Sequence, residues 1–383
     1  MNRCGAKQDV IMLPHRMFFS KTEYYITVII LKKHVFLFKL NKRRVVSGML
    51  SLLLFGGMIT AFAVTGQGQP ENLYTSATTI DGNQTKKFIK WVDFGISYTA
   101  MKQALEYDIE SYGQPIHYDW IELLSIAACK NGGKFSEKRN SVIDQTVKRI
   151  QNGESVQTIT KDMDYYAYYH EAYTAVLGNF VGSYKIEVYD ETAENQKTVE
   201  EKYGLKVFSP IAKGFSYSHS DDFGNGRSYG FTRKHMGNDL MGSVGTPIVA
   251  VEDGIVETMG WNRYGGWRIG IRSYDTKRYY YYAHLRKGHP YRLDLKEGME
   301  VKAGDVIGYL GMTGYSDTED HNGMQVPHLH FGMQLIFDES QKDTVSEIWI
   351  DVYNIVRLLQ NSRSKVQKDE TTTDYKRVYQ MFT

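Results

Sequence analysis

Cysteine is scarce in this sequence. Among 383 residues there are two, Cys4 and Cys129. They lie on opposite sides of an apolar segment at residues 45–64, so they are expected to end in different compartments unless one is removed. No disulfide framework is therefore predicted.

The chain also lacks a strong excess of charge. Its formal net charge is +2, and some of the basic residues belong to an N-terminal leader, residues 1–44. This balance gives no support to nucleic-acid binding, so no nucleic-acid partner is predicted. The content of 42% hydrophobic and 23% charged residues is ordinary for globular protein, and the length allows two domains plus a leader.

Residues 45–64 form an uncharged apolar run directly after Lys42-Arg43-Arg44. A run of ~20 apolar residues can cross a bilayer. The basic flank predicts that the preceding residues stay in the cytoplasm and the following ones lie outside. The end of the run, Ala61-Phe62-Ala63, also fits a signal-peptidase site. The segment is thus predicted to be a single-pass membrane anchor or a cleaved signal peptide, and either places the rest of the chain outside the cytoplasm.

The remaining sequence divides into stretches that differ in composition and periodicity. Residues 65–90 are rich in Gly, Gln, Thr and Asn, which predicts a linker. Residues 91–184 contain four segments of helical periodicity, which predicts a small α-helical bundle of open role that could bind an envelope protein. The charged and polar residues 185–204 are predicted to be a connector.

From residue 205 onward, short β-rich runs alternate with glycine-centred turns, the pattern of an antiparallel all-β core. A last helix is expected at residues 350–360, followed by a polar, mobile tail at 362–383. The predicted fold class is therefore α+β and multidomain: a membrane or signal segment, a helical bundle, and an all-β domain over residues 205–361.

Two short motifs in the all-β part bring together residues that bind metals. In His328-Leu-His330 the two imidazoles share one face if the motif lies on a strand, because side chains alternate. His235 and Asp239 are four residues apart, and Gly237 between them favours a tight loop that enters a strand over a helix.

A third segment, Tyr282-Ala-His284-Leu285, follows a tyrosine-rich run. His284 should reach the same face as the two motifs if the sheet is antiparallel. Imidazole and carboxylate are ligands that zinc takes, and a hydrolytic zinc keeps one position open for water. The five residues are therefore predicted to form one zinc site.

Further short motifs lie before, between and after these residues along the chain. They are Phe223-Gly-Asn-Gly-Arg227, His235-Met-Gly-Asn-Asp239, Gly245-Thr-Pro-Ile-Val-Ala250, Asp253-Gly254, Tyr282-Ala-His284-Leu285, Lys302-Ala-Gly-Asp-Val-Ile-Gly308, Gly311-Met-Thr-Gly314 and His328-Leu-His-Phe331. With them, residues 209–336 resemble the lysostaphin/LytM-type zinc endopeptidases, which cleave peptide bonds in bacterial peptidoglycan.

The resemblance implies a role for each residue of the site. Zinc, one ion per domain, is expected on His235, Asp239 and His330, and the catalytic pair that flanks the zinc-bound water is expected to be His284 and His328. Groove contacts with substrate are expected from three further residues: Tyr282, Arg227 and Asn262. The function so implied is hydrolysis of peptidoglycan peptide bonds, in the bacterial cell envelope or after secretion.

The alternative is a non-catalytic LytM-like regulator or scaffold of envelope complexes. Such proteins usually lack one or more of the five residues, and this chain keeps all of them. Two departures from the family pattern remain: an insertion at residues 317–327, which includes His321 and should border the groove, and Gly332 in place of a common acidic residue.

Overall fold

The structure is a computed structural model that describes residues 24–31, 34–41, 73–78, 85–189, 197–228 and 232–383. The predicted anchor or signal peptide at residues 45–64 lies outside these ranges. The chain divides into two units, Met1–Gln69 and Pro70–Thr383. In the described part of the chain, no helix combines the length and the apolar character needed to cross a bilayer.

The described part of the smaller unit is an antiparallel strand pair, and the larger unit holds the other elements. The strands are β1 (Tyr24–Leu31), β2 (His34–Asn41), β3 (Tyr74–Thr78), β4 (Thr85–Ile89), β5 (Val181–Tyr189), β6 (Lys197–Leu205), β7 (Tyr217–His219), β8 (Gly226–Arg227), β9 (Arg233–Lys234), β10 (Asn238–Gly242), β11 (Pro247–Val249), β12 (Gly254–Asn262), β13 (Gly266–Ser273), β14 (Arg278–Ala283), β15 (Glu300–Val301), β16 (Val306–Tyr309), β17 (His328–Leu335), β18 (Ile348–Ile350), β19 (Val366–Lys368), β20 (Tyr375–Arg377) and β21 (Met381–Phe382). The helices are α1 (Tyr98–Ser111), α2 (Trp120–Asn131), α3 (Ser141–Gln151), α4 (Val156–Thr160), α5 (Tyr166–Leu177) and α6 (Tyr353–Leu359).

The predicted all-β core is confirmed as an eight-stranded sheet. Its strands run in the order β15-β12-β13-β14-β17-β10-β7, and β18 pairs with β17. Every pairing along this sheet is antiparallel. The central strand β17 therefore lies between β10, which carries Asp239, and β14, which directly precedes His284.

The predicted helical region is present as α1 to α5, with the short α4 in addition to the four expected helices. Asp119 caps the N-terminus of α2 by accepting hydrogen bonds from the amides of Ile121 and Glu122. The helices do not form a separate bundle, because their buried faces share one hydrophobic core with the sheet.

A buried ion pair joins the helical region to the sheet. Arg278 and Glu252 are 0% and 2% exposed, and Nε of the arginine donates to the carboxylate at 2.8 Å. A second arginine nitrogen donates to the carbonyl of Ala175 on α5 at 2.6 Å. Asn179, just after α5, donates to Glu252 at 2.7 Å. Two helical-region groups are therefore bound directly to the core of the sheet.

Replacing Arg278 with methionine is expected to destabilise the larger unit by about 3–5 kcal/mol, because a buried carboxylate would lose its charged partner. Urea unfolding measures the loss. Arg149→Met is the matched control, since Arg149 pairs with Glu154 at the surface, and a much smaller loss is expected there. Equal unfolding midpoints for the two variants would show that the buried pair does not hold the layers together.

In three segments expected to be irregular, the described residues form regular structure. The connector at 185–204 forms most of the hairpin of β5 and β6, which pair from Val181↔Leu205 to Tyr189↔Lys197. The linker at 65–90 contains β3 and β4, and its Ile89 is fully buried. The side-chain amide of Gln341 donates to the carbonyl of Ile89 at 2.8 Å. The buried Ile89 therefore anchors the described end of the linker.

The C-terminal tail at 362–383 is also ordered, which corrects the expectation of a mobile segment. Asp374 is 5% exposed and accepts hydrogen bonds from His289 and Tyr309, both at 2.8 Å. Arg377 donates to the carbonyl of Ala303 at 2.9 Å. Strand β21 adds to the edge of β5. A polar tail is held here by buried hydrogen bonds, which composition does not reveal.

Candidate metal centre

Antiparallel pairing brings the three histidine-containing segments to one place. Asp239 on β10 lies directly opposite His330 on β17. On the other side of β17, Ala283 at the end of β14 also lies opposite His330, so His284 follows one residue beyond. The sequence-based argument for a common face depended on this antiparallel arrangement.

Three donor atoms converge within hydrogen-bonding distance of one another. His235 Nε2 lies 2.7 Å from His330 Nδ1 and 3.0 Å from Asp239 Oδ1, and His330 Nδ1 lies 3.3 Å from the same carboxylate oxygen. Among the described residues, these three form the group that could hold a metal ion. Two imidazole nitrogens and one carboxylate oxygen are a donor set that suits zinc, so the residues fit the expected ion.

Gly237 allows the loop that carries His235 to approach β17. A Cβ atom at this position would lie 2.8 Å from the His330 ring and 2.6 Å from the carbonyl oxygen of Phe331. The glycine expected for a tight turn is therefore required for a close approach of backbone to a candidate ligand.

The remaining two histidines lie beside this cluster. Nδ1 of His284 donates to the carbonyl of Thr313 at 2.8 Å, and Nδ1 of His328 donates to the carbonyl of Val326 at 2.8 Å. The His284 and His328 ring centres are 4.8 Å apart, and the His284 ring centre lies 6.0 Å from that of His330. These carbonyls fix the tautomer of both rings, which leaves Nε2 of each as the proton acceptor.

His284 has an unusual backbone conformation, with φ of 61°. A non-glycine residue in this left-handed region is uncommon and marks a place where the surroundings impose the geometry. Its amide donates to the carbonyl of Gly265 at 2.7 Å, which fixes the turn that ends β14. The position of the imidazole thus depends on a strained turn.

Burial and neighbouring charges set the protonation of the cluster. Burial lowers the pKa of His235, but hydrogen bonds with the carboxylates of Asp222 and Asp239 outweigh this effect and raise the pKa to about 9. Burial raises the pKa of Asp239, yet its hydrogen bonds with His235 and His330 hold that pKa well below its usual range. The pKa of His284 is well below its ordinary value because of burial and the neighbouring histidines.

Asp222 supports the cluster from behind and was not among the residues singled out from the sequence. Its Oδ2 lies 3.3 Å from His235 Nδ1, and its Oδ1 accepts from the amide of Asp239 at 3.2 Å. Arg227 donates to Asp222 and to Asp239 Oδ2, both at 3.0 Å. A carboxylate behind a ligating imidazole orients the ring and raises its basicity. No spacing rule links Asp222 to the two motifs, so only the fold shows this contact.

A cavity of about 190 Å³ opens on the cluster. Its lining residues include all five predicted metal and catalytic residues, several aromatic residues and several cations: Arg227, Arg233, Lys234, His235, Met236, Asp239, Tyr264, Gly265, Tyr281, Ala283, His284, Tyr315, Met324, His328 and His330. Of the three expected substrate contacts, only Arg227 is among them.

Tyr282 and Asn262 need a corrected assignment. Tyr282 is fully buried, and its hydroxyl accepts a hydrogen bond from the amide of Val251 at 3.1 Å. Because side chains alternate along β14, the neighbouring Tyr281 faces the cavity instead. Asn262 accepts hydrogen bonds from the amides of Tyr264 and Gly265 at 3.0 and 2.6 Å. It therefore shapes the turn that forms one wall, without lining the cavity.

The insertion at residues 317–327 borders the cavity through Met324. Asp320 Oδ1 accepts hydrogen bonds from the indole of Trp267 and the amide of Gly288, both at 2.8 Å, and so fixes the insertion to the sheet. His321 is exposed and is not part of the cavity lining. The insertion also supplies the Val326 carbonyl that orients His328.

Gly332, the other departure from the family pattern, has a packing reason. A Cβ atom there would lie 2.7 Å from the carbonyl oxygen of Met236 and 2.9 Å from the Trp349 ring. Trp349 on β18 covers the position that an acidic side chain would otherwise occupy.

Comparison with known proteins agrees with this geometry. Residues 233–343 match the model of peptidase family M23. The chain is 40% identical over 124 residues to the L-Ala–D-Glu endopeptidase of Bacillus subtilis, covering 32% of this chain and 36% of that protein. It is 41% identical over 98 residues to the glycyl-glycine endopeptidase ALE-1 of Staphylococcus capitis, covering 25% of this chain and 24% of that protein.

The chain is also similar in sequence to part of a solved structure. The catalytic domain of the antimicrobial peptidase lysostaphin from Staphylococcus simulans is 34% identical, with a TM-score of 0.26, and the match covers 32% of this chain and 85% of that one. The chain spans about a third or less of the length of the two full-length relatives named above. The family match lies on the strands that carry the metal-binding cluster, and the C-terminal part of this chain is a domain of peptidase family M23.

Proposed function

We propose that this protein is a zinc-dependent endopeptidase that hydrolyses a peptide bond of bacterial peptidoglycan. The observation that carries the proposal is the convergence of a His-Asp-His cluster and two further histidines in one cavity. Two relatives with similar sequences are named endopeptidases, which supports hydrolysis of a peptide bond.

A zinc ion held by His235, Asp239 and His330 would supply Lewis acidity to the attacking water and to the scissile carbonyl. His284 is assigned the role of proton acceptor, because its Nδ1 donates to the Thr313 carbonyl and its Nε2 is then left with the lone pair. It takes a proton from the attacking water and returns it to the leaving amine. His328 is assigned the role of the second histidine that flanks the attacking water, because its ring centre lies 4.8 Å from that of His284.

Digestion of dye-labelled peptidoglycan by the purified full chain tests this function. Release of dye is expected, with complete loss on addition of a chelator and recovery on addition of zinc. Intact peptidoglycan in the presence of zinc-loaded protein would contradict the proposal and favour a non-catalytic regulator or scaffold.

Asp222→Asn is expected to weaken zinc binding by roughly 10- to 100-fold, as loss of a carboxylate behind a ligating histidine generally does. Competition with a fluorescent zinc chelator measures the change. Asp221→Asn is the matched control, because Asp221 is the exposed neighbour of the half-buried Asp222, and near wild-type affinity is expected. If both variants bind zinc as the wild type does, Asp222 has no part in positioning His235.

We also propose an extracytoplasmic location, either anchored through residues 45–64 or secreted after cleavage there. The basic flank and the apolar run support this placement. The helical region is proposed to contact another envelope protein. Protease added to intact cells tests the location: degradation of the peptidase domain, or its recovery from the medium, is expected, whereas full protection inside intact cells would contradict it.

A further inference from the structure

We propose that the insertion at residues 317–327 positions both histidines beside the metal-binding cluster, and that Asp320 is the positioning residue that holds the insertion in place. This inference rests on the proposed function and adds to it the segment on which proton transfer depends. Asp320 does not line the cavity, so it acts through His284 and His328.

The insertion contacts His328 directly. Nδ1 of His328 donates to the carbonyl of Val326 at 2.8 Å. Val326 belongs to the insertion, and its side chain is 55% exposed. Packing of the valine side chain therefore does not fix this carbonyl, whose position depends on how the rest of the insertion is held.

Thr313 is the residue through which the insertion reaches His284. Nδ1 of His284 donates to the carbonyl of Thr313 at 2.8 Å. Thr313 is fully buried, and its hydroxyl donates to the carbonyl of Leu285 at 2.6 Å and accepts from the amide of Trp267 at 3.1 Å. The backbone of Thr313 therefore determines where the His284 ring is held.

Backbone hydrogen bonds connect the insertion to both neighbours of Thr313. The amide of Met324 donates to the carbonyl of Met312 at 3.0 Å. The amide of Gly314 donates to the carbonyl of His321 at 3.1 Å. One histidine thus has its acceptor within the insertion, and the other has its acceptor between two residues that are bonded to the insertion.

The side chain of Asp320 joins the insertion to the sheet. Its Oδ1 accepts hydrogen bonds from the indole of Trp267 on β13 and from the amide of Gly288, both at 2.8 Å. The Trp267 ring packs edge to face on the rings of Trp261 and Tyr291, with centres 5.7 and 5.9 Å away, so the indole donor is itself fixed. Hydrogen bonds to an ionised acceptor are roughly twice as strong as neutral ones. One carboxylate oxygen therefore holds the insertion at two points.

The backbone of Asp320 determines which substitutions are informative. Its φ is 55°, in the left-handed region that aspartate, asparagine and glycine adopt more readily than other residues. Asp320→Asn keeps this conformation and retains a side-chain oxygen as acceptor. Asp320→Gly keeps the conformation and removes the acceptor.

Steady-state cleavage of soluble peptidoglycan fragments by the full chain, with zinc content measured in parallel, is the first test. Asp320→Gly is expected to lower kcat roughly 10- to 100-fold, because a misplacement of about 1 Å at a reacting group has an effect of that order. KM and zinc content should stay near wild-type values, since Asp320 belongs to neither the cavity lining nor the metal-binding cluster. Asp320→Asn should recover most of the wild-type kcat.

Two further variants separate the hydrogen bonds from other effects of substitution. Glu319→Gly is the matched control, because Glu319 is the exposed neighbouring carboxylate in the same insertion, and wild-type kinetics are expected. Trp267→Phe removes the indole donor and leaves the insertion unchanged in sequence. Its kcat should also fall, but by less than in Asp320→Gly, since the amide of Gly288 still donates.

The tautomers of the two rings provide a readout that does not depend on activity. Nitrogen-15 NMR of the histidine side chains shows which ring nitrogen carries the proton. In the wild type the proton is expected at Nδ1 of His284 and of His328, whose signals are identified by their absence from His284→Asn and His328→Asn. In Asp320→Gly, mixed tautomers or broadened signals are expected for both rings.

The outcomes separate this inference from the proposed function. The inference is overturned by an unchanged kcat in Asp320→Gly and Trp267→Phe, by a lowered kcat with unchanged ring signals, or by an equal loss in Glu319→Gly. Parallel loss of zinc and activity would overturn it as well, because Asp320 would then support the metal-binding cluster or the fold. A zinc-loaded wild type that leaves the fragments intact would overturn the proposed function, and the ring signals would still show whether the insertion positions the histidines.

Discussion

His330→Ala is expected to abolish both zinc retention and peptidoglycan cleavage. His330 lies opposite Asp239 in the sheet, and its Nδ1 is one of the three converging donor atoms. Structural zinc sites with four protein ligands bind with ~10–16 kcal/mol, which is about 3 kcal/mol per ligand, so the loss of one of the three ligands here should weaken zinc binding by roughly 100-fold or more. Zinc content after gel filtration against a competing chelator, together with muropeptide release, measures both effects.

A loop histidine provides the control for this variant. His321→Ala removes an exposed imidazole in the insertion at residues 317–327 and leaves the cavity lining unchanged. Wild-type zinc content and activity are expected. If His330→Ala kept a full equivalent of zinc under the same competition, His330 would not be a ligand.

His284→Ala is expected to abolish turnover while most of the zinc remains bound. His284 lies outside the His-Asp-His cluster, and removal of a positioned proton-transfer group costs roughly 10²–10⁴-fold in rate. Measurement of kcat on peptidoglycan fragments, paired with zinc content, separates this result from loss of the metal.

The backbone of His284 calls for a second variant. Because its φ is 61°, alanine at this position would be strained, whereas asparagine adopts the left-handed conformation more readily. His284→Asn should be as inactive as His284→Ala but closer to the wild type in stability. Full turnover by His284→Asn would contradict the proton-transfer role, and equal loss of zinc and activity would assign His284 a structural role instead.

The sequence was most informative where chemistry and strand periodicity coincide. His328 and His330 are separated by one residue, so a strand brings both to one face, and antiparallel pairing then places Asp239 and His284 beside them. These inferences require only the two-residue period of a strand and the ligand chemistry of zinc.

The tyrosine run of β14 shows where that reasoning fails. Tyr279 to Tyr282 are consecutive, so the sequence has no alternation that would distinguish the face of the cavity from the face of the core. The resemblance suggested Tyr282 as a substrate contact, but its ring is buried in the core and Tyr281 lines the cavity. Which face is which depends on the register with β17, a long-range pairing.

Contacts between residues that are distant in sequence could not be predicted either. Asp222 reaches His235 through a loop with no fixed spacing. Asp374 and Arg377 make a polar tail part of the folded unit. Asp374 accepts a hydrogen bond from Tyr309 and Arg377 donates to the carbonyl of Ala303, and both partners are distant in sequence. The ion pair of Arg278 and Glu252 likewise fixes a helical region that periodicity alone presented as a separate bundle.

Mass spectrometry of the products from purified peptidoglycan is the most direct test of the central claim. The account predicts new peptide amino termini without new reducing sugar ends. These amino termini should be absent when chelator is added and absent with the His284→Asn variant. Addition of zinc to the chelated wild type should restore them. New sugar ends, or peptide products that persist in the wild type after complete removal of metal, would contradict a metal-dependent endopeptidase.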